Sequence, residues 1–199
     1  MHAIFLSASV PIVGRGDYHE TANPFLIQCA VRELVVAVIR DWKIVWGGHP
    51  AITPMMMAIC QDLEIDYSNS VVLYQSRFFE SRFPEENEHF GNLVPVDEVP
   101  GDREASLLRM REEMLSRQDL KAAVFIGGMA GVEAEYALFT QFHPTAKVLP
   151  VAAPGGAARR LAERLGYHED NLRRVDFARL FRTELMPVDA DNEKNHSPS

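Results

Sequence analysis

Short apolar runs alternate with helix-length segments along most of this 199-residue chain, and that alternation limits the fold more than any other feature. The runs are 3–7 (AIFLS), 43–46, 71–74, 122–126 (AAVFI) and 147–151, with a shorter one at 93–96. Each is too short for a helix and suits a strand buried on both faces. Between them the periodicity predicts helices over 24–40, from 51 or 53 through Cys60, and over 106–117, 131–142, 157–165 and 174–181. Asn23 then Pro24 supplies an N-cap and a proline at the first helical position. Strands joined through helices are parallel, and the helices cover both faces. The expectation is an α/β fold: a three-layer, Rossmann-like domain over 1–186 with a mostly parallel sheet and helices on both faces. From Pro187 the chain is polar and aperiodic, and a disordered tail is expected over 187–199.

Six of the twelve glycines form three pairs, Gly47-Gly48, Gly127-Gly128 and Gly155-Gly156. Each pair follows a predicted strand. In open sheets of this kind, ligands sit beyond the carboxyl ends of the strands. A glycine turn lets backbone approach a ligand, and the helix start after it faces an anion. The same pairs also suit ordinary tight turns. None belongs to a GxxxxGK[ST] or GxGxxG motif, which disfavours an NTPase or a hydride-transfer enzyme.

Helix geometry selects two charged residues. With Leu107 at 0° and about 100° per residue, the apolar face of the 106–117 helix centres at about 20°. Arg111 falls at about 40°, inside that face. On the next helix, with Val132 at 0°, Glu135 falls at about 300° among Tyr136, Phe139 and Phe142, and Glu133 at about 100°, outside them. An inward Arg needs an anionic partner. Two readings stay open. Arg111 and Glu135 pair with each other, or Arg111 meets a ligand phosphate or leaving group and Glu135 acts at a sugar carbon.

Charge sets limits on partners. The net charge is −8, so nothing here suggests a basic face for duplex nucleic acid. The longest aliphatic run, Leu34–Ile39, falls far short of the ~20 residues that span a bilayer. The N-terminal MHAIFLSAS has no basic n-region, so no signal peptide is expected and the chain reads as cytoplasmic. Cys29 and Cys60 lie in apolar helical stretches, without CxxC, and read as two buried thiols. The histidines are scattered, with no HxxxH, so neither a metal nor a cofactor is expected. Sixteen of the twenty basic residues are Arg, whose planar fork grips phosphate, although base composition alone also favours Arg.

Arg111, then Gly127-Gly128-Met129-Ala130-Gly131-Val132-Glu133-Ala134-Glu135, resembles the lysine-decarboxylase-like Lonely Guy family, whose signature is an Arg followed by PGGxGTxxE. Val45-Trp46-Gly47-Gly48 stands at that family's first glycine-rich turn, and IFLSASVP and WGGHPAITP are similar to one branch of the wider SLOG superfamily. The match runs over most of 3–160. It departs from the signature at Ile126 for Pro, at one extra residue between Gly128 and Gly131, at Val132 for Thr, and at Glu112 after the Arg. The resemblance implies a Rossmann-like protein that binds a nucleotide or nucleotide-derived small molecule. The enzyme reading has it hydrolyse the N-glycosidic bond of a nucleoside monophosphate. Arg111 and Glu135 would then be catalytic, and Gly47, Gly48, Gly127, Gly128, Met129 and Gly131 would form the phosphate turns. Ser7 and Ser9, at the end of the first strand, would reach the base or ribose. The alternative is a non-catalytic sensor of a nucleotide-derived signal. A homodimer or higher homo-oligomer is also implied, and the apolar surplus of the first helix suits one.

Overall fold

The structure is a computed structural model that describes residues 2–64, 70–83, 85, 87 and 90–186; the tail expected over 187–199 lies outside them. Six strands form one parallel sheet: β1 (Ala3–Ser9), β2 (Lys43–Trp46), β3 (Val71–Ser76), β4 (Leu93–Val96), β5 (Leu120–Gly127) and β6 (Lys147–Val151). Their order is β4-β3-β2-β1-β5-β6, and every pairing is parallel. The chain therefore reverses direction of build at β1 and β5, and the crevice of such a sheet opens there. The expected α/β, Rossmann-like architecture is the one observed.

Helices α1 (Pro24–Val38), α2 (Thr53–Asp62) and α7 (Phe177–Leu185) cover one face of the sheet. Helices α3 (Arg103–Leu115), α4 (Ala130–Phe142) and α5 (Gly156–Arg164) cover the other, and α6 (Glu169–Leu172) is a single turn. Alternation along the strands assigns the faces. Ile4, Leu6, Ile44, Trp46 and Val124 pack toward α1 and α2, while Phe5, Val45 and Phe125 pack toward α3 and α4. Burying each of these large side chains contributes roughly 1.5–3 kcal/mol. Helix α1 lies between the sheet, α2 and α7, which accounts for its nearly all-round apolar surface. Phe25 and Val36 are the exceptions, at 69% and 40% exposed.

Differences from the sequence reading have local causes. Helix α3 starts at Arg103 and not at Ser106, because Asp102 is the N-cap and accepts from the Ala105 N–H. Ser106 is buried inside the helix, its hydroxyl donating to the Asp102 carbonyl. Helix α7 likewise starts at Phe177, capped by Asp176. Cys60 is buried, and burial pushes its thiol up to about 11. Cys29 is only half-buried on α1, so the expectation of two buried thiols holds for one of them.

Candidate functional site

β1 continues past its apolar run. Ala8 pairs with Ile126 and Ser9 with Gly127, which carries both serines to the carboxyl edge of the sheet. Ser7 is buried there, and its hydroxyl donates to Glu135 Oε2 at 2.5 Å. Arg111 Nε donates to Glu135 Oε1 at 3.2 Å. Side-chain exposure is 15% for Arg111 and 17% for Glu135, so the pair is largely shielded from water. Both inward assignments from helix geometry are observed, and the pair reading is the one realised in this structure. Glu133 points away and pairs with Arg164 at 2.7 Å.

Gly131 explains how α3 and α4 come this close. A Cβ there would lie 3.0 Å from Arg111 Nη2. The missing side chain lets the guanidinium settle over the first turn of α4. No side chain caps that turn at Met129, so its leading amide groups keep their anion-attracting character.

These groups form one wall of a cleft of about 950 Å³. Ser7, Ser9, Gly47, Gly48, Met129, Gly131, Arg111 and Glu135 all line it. Gly127 and Gly128 do not. The Gly128 N–H is already used, donating to the Ser9 carbonyl at 2.8 Å, and the Gly128 carbonyl accepts from Ala157 N–H at 3.0 Å. Behind Gly127 stand Ile27 and the Ser9 backbone, and behind Gly156 stand Gly127 and Gly128 themselves. The second and third glycine pairs thus pack against each other to seal β5 onto α5, and only the first pair faces the cleft.

The Gly47-Gly48 turn is held from below. Gln75 Nε2 donates to the Gly47 carbonyl at 2.8 Å, and a Cβ on Gly48 would lie 2.3 Å from that nitrogen. Gly48 has φ +72°, which an L side chain resists.

Several lining residues were not singled out by sequence reasoning. They include His49, Gln75, Arg82 and Arg103, with Phe79 and Phe83 beside them. All but His49 come from the 75–84 segment and α3, and QSRFFESRFP holds three Phe and two Arg in ten residues; that density is the available signal. Arg103 pairs with Glu104 and lies 5.9 Å over the Phe79 ring. Burial, and then the Arg15 charge, hold the His49 imidazole below its ordinary 6.5. The cleft is lined by four arginines and two glutamates, a local excess of positive charge in a protein of net charge −8.

A parallel sheet with an anion-attracting cleft beyond its strand ends defines a Rossmann-like protein of the nucleotide-related class. A family model described as the SLOG cluster3 family matches residues 17–185, and the chain belongs to that family. The X-ray structure of TM1055 is similar, with a TM-score of 0.52 at 14% sequence identity, covering 82% of this chain and 81% of that chain. At that identity the likeness concerns the fold. No curated protein matches the chain. No helix among the described residues is long and apolar enough to cross a membrane.

Proposed function

We propose that the cleft binds a nucleotide and hydrolyses its N-glycosidic bond, with a nucleoside 5′-monophosphate as the substrate class. The observation that carries this reading is the Ser7–Glu135–Arg111 cluster on the cleft wall. Glycosidic cleavage needs a carboxylate close to a carbon that develops oxocarbenium character. Glu135 fills that role, fixed by two donors so that little reorganisation is needed on binding. Arg111 supports the carboxylate on one side and reaches the phosphate or leaving group on the other. The uncapped first turn of α4, Met129 to Gly131, and the Gly47-Gly48 turn supply backbone for the phosphate. Gly127 and Gly128 act at one remove in this reading, by fixing where α4 begins. Ser9 reaches the ribose or base from the end of β1.

The competing reading is a sensor that binds the same ligand without turnover, and one observation favours it. Both Glu135 oxygens are already engaged, and Val132 stands where the related signature has a hydroxyl. The test is a panel of nucleotides incubated with purified protein and followed for released base, with Glu135→Gln alongside. Turnover by wild type and a loss of about 10²–10³-fold in the variant is the expected result, the size usual for removing one stabilising group. A clear thermal shift on binding with no base released establishes the sensor. Equal rates in the two proteins overturn the role of Glu135.

In the same reading residues 1–186 work as one domain, cytoplasmic and without a metal or cofactor. The unit is a homodimer or higher homo-oligomer, for which Phe25 and Val36 on the open side of α1 provide apolar contact area.

A further inference from the structure

The charges lining the cleft do not all cancel. Arg111 is paired with Glu135 and Arg103 with Glu104. Neither Arg82 nor Arg15 has a carboxylate within ion-pair distance among the described residues, and Arg15 is the one whose charge reaches His49. Its sequence neighbour Asp17 is the natural partner, but Asp17 lies 2.8 Å from Arg160, whose guanidinium also sits 4.6 Å over the Tyr18 ring. Asp17 is therefore drawn to α5, Glu20 makes no ion pair with Arg15 either, and Arg15 is left at the cleft with its charge uncompensated.

His49 lines the same cleft, within reach of the Arg15 charge, and its imidazole has a fixed tautomer. The Ala51 N–H donates to His49 Nδ1 at 3.2 Å. A ring nitrogen that accepts carries no proton, so the neutral ring holds its proton on Nε2. The backbone of His49 is locked as well. Its carbonyl accepts from Thr53 Oγ1 at 3.0 Å, and its N–H donates to the same oxygen at 3.4 Å. Gln75 braces the preceding turn from below. An exposed surface histidine needs none of this. Here a Gly-Gly turn, a threonine and a glutamine fix the backbone at His49, the Ala51 N–H fixes its ring, and the donor end stays unspent on a cleft that the unpaired Arg15 also lines.

We propose that Arg15 and His49 form an anion subsite beside the Gly47-Gly48 turn, and that it takes a phosphoryl group of the ligand. The assignment rests on the nucleotide reading of the cleft and adds to it a second anchoring point, separate from the first turn of α4. Arg15 supplies charge, and His49 supplies a directed N–H. Together they choose phosphorylated over unphosphorylated forms of the same nucleoside.

The test compares AMP, adenosine and inorganic pyrophosphate on the full chain. Binding is followed by calorimetry and by the side-chain nitrogen resonances of His49. The variants are Arg15→Gln and His49→Asn, since Asn can still accept from the Ala51 N–H while lacking the outer donor. The expected results are a His49 ring protonated on Nε2 at neutral pH, a shift of that resonance on adding AMP, and AMP binding weakened about tenfold in each variant, as for loss of one charge-assisted contact. Adenosine binding stays unchanged. Variants that lose adenosine and AMP alike overturn the subsite, because the loss is then not a phosphate contact. Variants that bind AMP as wild type does also overturn it, and the nucleotide reading survives. If no nucleotide binds, the nucleotide reading fails; the subsite then stands if pyrophosphate still moves the His49 resonance and falls if it does not.

Discussion

Gly47-Gly48 and Gly127-Gly128 end two strands that flank β1 in the same parallel sheet. Around the first pair the neighbours are side chains: Gln75 beneath, and Met110 at 3.4 Å from a Cβ placed on Gly47. Around the second pair they include backbone, with the Ser9 carbonyl taking the Gly128 N–H and Gly156 closing from behind. Side chains can yield and backbone cannot. The first turn is thus a surface that a ligand can meet, and the second is a joint that fixes where β5, α4 and α5 sit. The same dipeptide serves recognition in one place and assembly in the other.

The largest effect expected from this contrast is at the joint. A Cβ on Gly155 would stand 1.9 Å from the Thr21 carbonyl oxygen and 2.5 Å from its carbon, at φ +81°. The backbone of the 17–21 loop must move, and the Gly156 N–H bond to Thr21 Oγ1 goes with it. Gly155→Ala should lower stability by about 4 kcal/mol, at the severe end for one substitution. Urea unfolding measures it. A loss under about 1 kcal/mol would show that the joint is softer than its contacts imply.

Gly48→Ala should separate the two roles. Its Cβ would overlap Gln75 Nε2 at 2.3 Å and Leu73 Cδ1 at 2.9 Å, both ends of flexible side chains, again at a positive φ. Strain and the lost Gln75 bond together cost about 1–2 kcal/mol. Ligand binding should suffer more than stability does, because the displaced Gln75 no longer braces the turn that carries His49. Isothermal titration with AMP beside an unfolding curve reads both. Unchanged affinity in a folded variant would remove this turn from the site.

How much of this the sequence discloses depends on the range of the interaction. β2, β4 and β6 have the bounds read from their apolar runs; in β2 and β6 the buried residues are 44–46 and 149–151, while β4 at the sheet edge buries only Val96. β1, β3 and β5 are longer than read: at the cleft edge β1 gains Ala8 and Ser9, β3 gains Gln75 and Ser76 and β5 gains Gly127, none with an apolar alternation, and β5 also gains Leu120 and Lys121 at its start. Arg111 and Glu135 were legible because helix periodicity fixes direction, even though Leu108, placed at the margin of the same face, is 46% exposed. The fate of the glycine pairs was not legible. It depends on Ser9, Thr21 and Gln75, which come from remote parts of the chain. His49 is not legible either: its bonds to Ala51 and Thr53 are local, but only the fold brings Arg15 and Gln75 to the same cleft wall.

The smallest expected effect is a pH dependence confined to the cleft side. Protonating His49 would put a second N–H on Nδ1, where Ala51 already donates, in a half-buried ring facing the Arg15 charge. The folded chain therefore resists the proton, whereas the unfolded chain accepts it at the ordinary 6.5. A depressed folded pKa contributes stability that is fully present above 6.5 and is lost as pH falls through the folded value. Asp17, held down by its hydrogen bond to Arg160, behaves in the same sense but from a starting value of 3.8, so the two windows do not overlap at their upper ends. His49→Asn removes only the upper one. Urea midpoints of wild type and variant should run parallel above pH 6.5 and converge or cross below it, before the carboxylates begin to titrate. An anion lodged between Arg15 and the ring should flatten the wild-type curve, since it favours the protonated imidazole. Parallel curves across the whole range would mean that His49 is as free to protonate as in the unfolded chain, and the locked tautomer would be wrong. The joint at Gly127-Gly128 carries no titrating side chain, and Asp17 on the displaced 17–21 loop starts from 3.8, so Gly155→Ala should shift the midpoint without changing the curve's shape above the carboxylate range. A shape change there would tie the two turns together and end the division between them.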